Sequence, residues 1–220
     1  MPKRTRLFLL LALVPLLGVA LFYAWGRQQL QHDIQYNEFI QEAAKRQRIS
    51  EDLIRAVIWR ESDFDPEATG LAGERGLMQV TPQAGREWAL SQNIRTFRDT
   101  DLLDPRTNIL AGSWYLSRAI KRWQQADRPE IFALAEYNAG RSNARRWAKD
   151  MTVLNSAVFI ENIDFRTTKT YVLDILDRSE YYRAHPVASA WAKGWNKLSG
   201  MWWRWLERRK IRQFHEQRDT

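Results

Sequence analysis

The sequence predicts a mainly α fold with one N-terminal membrane-spanning helix. Three observations predict it: apolar residues recur at helical spacing in six stretches, no alternating run of strand length occurs, and residues 7–25 form an unbroken apolar segment. At 45% hydrophobic and 12% aromatic residues, the 220-residue chain has enough apolar surface to bury a core and is not disordered. It has no Cys, which excludes a disulfide scaffold, a thiol nucleophile and a thiolate metal site. Its three His (His32, His185 and His215) are scattered, so neither a metal nor another cofactor is expected.

Residues 7–25 read LFLLLALVPLLGVALFYAW. At about 1.5 Å rise per residue, a helix of this length spans roughly 28 Å, close to a bilayer core. Lys3, Arg4 and Arg6 precede it, and Tyr23 and Trp25 close it. The positive-inside rule keeps the first residues cytoplasmic and sends residue 27 onward across the membrane. A retained anchor and a cleaved signal, with Gly18 and Ala20 before the cut, both give this placement; the full apolar length favours the anchor.

Ile34, Phe39, Ile40, Ala43 and Ala44 predict a helix over 33–47. Ser50 is an N-cap for the next helix, with Glu51 and Asp52 in the first turn and Leu53, Ile54, Val57 and Ile58 on one face. Pro66, Gly70, Gly73, Gly76 and Pro82 then punctuate a small loop-rich lobe, over about 63–90, that has room for short strands. Helices resume at 105–124, 129–138, 141–149 and 167–183. This divides the chain into 1–26 (basic tip and anchor), 27–188 (globular domain) and 189–220 (a Trp-rich basic helix).

The net charge of +8 lies at the two ends. Between 27 and 190 there are 23 basic and 23 acidic residues, so the domain has no bias toward a polyanion and no nucleic-acid partner is expected.

Glu61 is the first residue pointing to chemistry. It continues the apolar stripe of residues 53, 54, 57 and 58 and falls at the helix C-terminus, just before Asp63–Phe64–Asp65–Pro66. Burial and the negative end of the helix dipole both disfavour its anion, which suits a general acid near neutral pH. A Glu turned outward, or paired with Arg60 or Arg75, is the structural alternative. Asp63 and Asp65 suit local turn structure better than a second catalytic carboxylate.

Three further segments accompany it: IWRESDFDPEATGLAGERGLMQVTP (58–82), the NIxxGxxYL run from Asn108 to Leu116, and AEYNAG (135–140). A looser fourth is FIENIDFRTTKTYV (159–172), set against an E-T-x-x-Y pattern. In this order the chain resembles the soluble-type lytic transglycosylases with a lysozyme-like fold, over roughly 35–185. The resemblance implies a peptidoglycan substrate, cut between N-acetylmuramic acid and N-acetylglucosamine with formation of a 1,6-anhydro end. It makes Glu61 the catalytic acid and then base. It implies substrate-binding roles for Ser62, Met78, Gln79, Tyr137, Asn138 and Glu161, with Tyr137 able to orient the carboxyl or the N-acetyl group. It also implies a helical lobe and a loop-rich lobe with a cleft between them. Together with the apolar segment 7–25, a wall substrate gives the expectation of an inner-membrane anchor with the domain in the periplasm.

This chain departs from the family pattern at three positions. Gly70 stands where many members carry Ser, Glu136 where a small apolar residue is usual, and Thr167 in place of the Glu of E-T. A water-using muramidase and a non-catalytic wall-binding protein remain as alternatives. Residues 191–220 hold five of the eleven Trp among Lys and Arg. They suit either an amphipathic helix on anionic lipid or a helix packed on the domain.

Overall fold

The helix that carries Glu61 forms where its cap predicts. Ser50 accepts the Leu53 N–H at 3.2 Å, and helix α2 runs from Glu51 to Ser62. Its buried residues include Leu53, Ile54, Ala56, Val57 and Ile58. The chain leaves it through two successive left-handed residues, Asp63 (φ 50°) and Phe64 (φ 67°), with Phe64 turned back into the core. This exit follows Glu61 directly, so the carboxyl sits where helix, turn and core meet.

A computed structural model describes residues 35–149 and 153–186, and a compact unit extends from Gln35 to Ala184. Helix α1 (Asn37–Gln47) buries Ile40, Ala43 and Ala44. It is joined to α2 by Arg55, whose Nη2 donates to Asn37 Oδ1 at 2.7 Å. After α2 come α3 (Pro82–Ser91), a 3-10 turn (Asp99–Leu103) and the long helix α4 (Pro105–Arg122). Helices α5 (Pro129–Ala139), α6 (Arg141–Trp147), α7 (Ser156–Asn162) and α8 (Arg166–Ala184) complete the unit. Helix α8 lies along α2 and also meets α5, while α4 packs on α1, α3 and α5.

Two helices were not expected. Pro82 suggests loop punctuation, but it occupies the first turn of α3, where no N–H is needed. Thr81 caps it by accepting the Ala84 N–H at 3.2 Å, and Trp88 anchors its inner face. The loop-rich lobe therefore ends near Val80 rather than at 90. Helix α7 is short and is held by aromatic packing, with Phe159 stacked on Phe132 at 3.9 Å. In the lobe itself the strand content reduces to isolated bridges, Thr69 with Arg75 and Arg75 with Val80. Among the described residues no helix is long and apolar enough to cross a membrane. The expected anchor (7–25) and the Trp-rich segment (189–220) lie outside those residues.

The lobe is fastened to the helices by one buried side chain. Asn108, on the first turns of α4, accepts the Met78 N–H at 2.7 Å. Its Nδ2 donates to the carbonyls of Arg75 (2.6 Å) and Leu102 (2.7 Å). Two glycines make room for this. A Cβ on Gly76 (φ 67°) would lie 2.6 Å from Asn108 Nδ2, and one on Gly112 would lie 2.7 Å from Met78 Sδ. The spacing from Asn108 to Gly112 thus places a clamp and a recess on one face of α4. The Glu136 departure is also resolved: the residue is buried and accepts from Trp123 Nε1 at 2.7 Å and from Arg122, so its charge is paired.

Truncating Asn108 to Ala would strand the buried Met78 N–H and the Leu102 carbonyl, while the Arg75 carbonyl keeps the Val80 N–H at 3.0 Å. Asn108→Ala should cost about 2–4 kcal/mol of unfolding free energy in urea titration. A loss under about 1 kcal/mol would contradict the clamp.

Candidate active site

The lobe and the helices meet at Glu61. Its carboxyl is partly buried, and its Oε1 accepts a hydrogen bond from the Tyr171 hydroxyl at 2.6 Å. Burial pushes the Glu61 pKa up to about 7. The Tyr171 bond and the nearby Arg60 charge pull against this, while Glu74 adds to it. Arg60 does not neutralise the acid, because its Nε is directed to Asp174 Oδ2 on α8 at 3.2 Å and its guanidinium lies over the Tyr171 ring. The outward-turned or salt-bridged Glu61 is thereby set aside.

Tyr171, the hydrogen-bond partner of Glu61, is the candidate site residue that sequence reasoning missed. The signal was present as the last letter of the loose E-T-x-x-Y match. Burial and the Glu61 charge hold its phenol well above the usual range, so it remains a donor. It is Tyr171, not Tyr137, whose hydroxyl bonds the carboxyl. Tyr137 lies close enough for Glu61 to raise its own pKa, but its hydroxyl donates to Met78 O at 2.8 Å. Its ring meets Tyr115 edge-on at 5.9 Å. Tyr137 therefore braces the turn beside the acid.

Three of the other expected residues are also structural in their contacts. The Ser62 hydroxyl lies 2.9 Å from the Leu77 carbonyl and 3.2 Å from that of Ile58, tying the end of α2 to the turn. Met78 corrects the expectation of a cleft-lining side chain: it is fully buried in the recess opposite Gly112, where its apolar thioether fills the gap. Asn138 is exposed, with Oδ1 accepting from Thr168 Oγ1 at 2.8 Å across to α8.

Gln79 is braced by the loop, and its side-chain amide keeps one acceptor unspent among the described residues. It adopts a left-handed backbone (φ 46°), and its Nε2 donates to the carbonyls of Ala68 (3.0 Å) and Gly76 (2.9 Å). Both amide hydrogens are spent on the loop, which fixes Oε1 as the outward acceptor. Glu161 is exposed on α7, and its backbone carbonyl accepts from Lys169 at 3.1 Å. It is not among the charges acting on Glu61.

The remaining acids near the helix end serve local structure. Asp65 Oδ1 accepts the Glu67 N–H at 2.9 Å in an Asx turn, and Asp63 is the left-handed cap of α2. Gly140 joins α5 to α6 at φ 83°, ψ 157°. That is an extended positive-φ conformation open to Gly.

The raised acid has a cost in stability whose sign follows from linkage. Below the unfolded pKa of about 4.5 both states hold the proton and there is no penalty. Between that value and about 7 the unfolded chain ionises first, so the folded state loses ground, and the penalty is complete above 7. Glu61→Gln removes the ionisable group. Its unfolding free energy relative to the parent should rise from near zero at pH 4 to roughly 2–3 kcal/mol at pH 8. A pH-independent difference in thermal unfolding would count against a dehydrated carboxyl.

The transglycosylase SLT domain model matches residues 38–159, more than half of the chain. The soluble lytic murein transglycosylase of Salmonella typhimurium is 30% identical over 161 residues, which are 72% of this chain and 24% of that protein. The membrane-bound lytic murein transglycosylase F of Desulfosudis oleivorans is 32% identical over 150 residues, 67% of this chain and 30% of the relative. Among solved structures, an inactive Glu-to-Gln mutant of the lytic transglycosylase Slt from Pseudomonas aeruginosa matches with a TM-score of 0.61 and 29% identity, covering 68% of this chain and 25% of that one. The match thus spans 24–30% of the length of these relatives. Site, helical frame and sequence agree, and the chain belongs to the family of transglycosylase SLT domains, with their lysozyme-like fold.

Proposed function

We propose that this domain is a peptidoglycan lytic transglycosylase that cleaves the β-1,4 bond between N-acetylmuramic acid and N-acetylglucosamine. The observation that carries the reading is the Glu61 carboxyl, partly buried against Tyr171 with its pKa near 7. A group balanced between its two protonation states can give a proton in one step and take one in the next without a large cost in either direction.

In the first step, protonated Glu61 would deliver its proton to the glycosidic oxygen as the bond from muramic C1 breaks. The 2-acetamido oxygen of the same sugar would form the new bond to C1 and hold the positive charge. In the second step, the C6 hydroxyl oxygen would attack C1, displace the acetamido oxygen and return its proton to Glu61. Atoms balance with no water consumed, and a 1,6-anhydro ring results. The nucleophile belongs to the substrate, so high effective concentration replaces a positioned water. Tyr171 supports the first step, since its O–H stabilises the carboxylate that proton release leaves behind.

The relatives support this reading. Both are named as lytic murein transglycosylases, and a single Glu-to-Gln change gives the inactive Pseudomonas mutant. They include proteins named soluble and membrane-bound, which suits a domain working in the periplasm. We assign residues 7–25 as a single-pass tether and 191–220 as a second lipid contact, on the hydropathy and charge of those segments.

Mass spectrometry of purified walls digested with the full chain separates the readings. The proposal expects fragments with 1,6-anhydro ends, one water lighter than hydrolysis products, and a loss of at least about a thousandfold in Glu61→Gln. Reducing ends would indicate a hydrolase. Unchanged lysis by the variant would remove Glu61 from the chemistry.

A further inference from the structure

Gly70 is not among the described glycines with positive φ, so its backbone does not require glycine. Space does. A Cβ at this position would overlap Glu74 Oε2 and stand 3.0 Å from Gln79 Oε1 and 3.1 Å from Glu74 Cδ. The volume that a side chain at 70 would claim is thus taken by two acceptor oxygens from other residues.

Both acceptors are held from below. The Glu74 side chain folds over its own loop, with Oε2 accepting the Ala72 N–H at 3.0 Å. The loop is closed by Gly70 N–H to Glu74 O (2.8 Å) and Gly73 N–H to Gly70 O (3.1 Å), with Gly73 at φ 85°. Gln79 has spent both amide hydrogens on the loop, which leaves Oε1 outward. Glu74 makes no ion pair among the described residues. It is near enough to Glu61 for its charge to be felt there.

Two acceptors side by side call for a donor. An N-acetylated sugar offers hydroxyls and one amide N–H. In the first step it is the amide N–H that gains positive charge, as its own carbonyl oxygen bonds to C1. A carboxylate without a counter-cation interacts most strongly with a group of that kind, and most strongly in the transition state.

We propose that Glu74, with Gln79 Oε1 beside it, accepts the acetamido N–H of the N-acetylmuramic residue and so aims the acetamido oxygen at C1, an inference that rests on the transglycosylase reading above. No proton leaves the amide; the bond to Glu74 shortens as charge develops and relaxes when the C6 oxygen takes C1.

Glu74→Gln is the clean variant, because its amide oxygen can still accept the Ala72 N–H and its size is conserved. The measurements are kcat, KM and pH profile of the full chain on purified glycan strands. Alongside them, calorimetry measures the affinity for a bicyclic thiazoline of N-acetylmuramic acid, whose protonated ring nitrogen mimics the charged amide. With thermal unfolding unchanged, kcat should fall about 10- to 100-fold with KM nearly constant. Affinity for the thiazoline should weaken by a similar factor. The alkaline limb of the pH profile should move to lower pH, since the variant removes a charge that favours protonated Glu61.

Parental kcat and thiazoline affinity in Glu74→Gln would overturn the proposal. A moved alkaline limb with unaltered thiazoline affinity would overturn it too, because Glu74 would then act on Glu61 alone. Failure of the parent to form 1,6-anhydro ends would instead refute the underlying reaction, so the two failures are distinguishable.

Discussion

The side-chain amide of Asn108 is the constraint on which the site depends. One helix residue satisfies the Met78 N–H and the carbonyls of Arg75 and Leu102, so the whole Arg75–Gln79 turn is set by where α4 lies. Tyr137 adds a bond to Met78 O, and Ser62 adds one to Leu77 O from the end of α2. Three helices therefore grip one turn, and Gln79 emerges from it in a single orientation. Without this grip the loop would be free to drift, and water would reach the carboxyl that the fold partly dehydrates.

That partial dehydration is a compromise. Burial alone drives the Glu61 pKa upward, and a site that dehydrated it fully would yield a carboxyl too reluctant to release its proton. The Tyr171 hydrogen bond and the Arg60 charge counter the burial, and the balance comes to rest at about 7. Arg60 can do this at a distance because Asp174 engages its Nε and holds the guanidinium over the Tyr171 ring. The same fold thus supplies an acid, a hydrogen bond suited to its conjugate base, and an adjacent pair of acceptors above Gly70.

The parts of this arrangement that were legible in the sequence are local. Ser50, the stripe through Ile58 and its continuation at Glu61 mark a helix and a half-buried acid because cap, period and break lie within fifteen residues. Pro82 misled because Pro punctuates loops and opens helices equally well, and the Thr81 before it was the deciding letter. Met78 could not be assigned from its own surroundings, since the recess that receives it is made by Gly112, thirty-four residues later. Tyr171 meets Glu61 across 110 positions, a pairing that only the docking of α8 on α2 creates. The Gly70–Glu74 exchange of space lay within five residues, but it shows only once the loop is seen folding over its own glycine.

The most direct test is the titration of the Glu61 carboxyl itself, by NMR of side-chain carboxyl carbons in the folded, ligand-free protein, assigned by comparison with Glu61→Gln. A midpoint near 7 is predicted. A midpoint close to 4.5, the ordinary value for glutamate, would show that solvent reaches the group freely and would contradict the account at its centre.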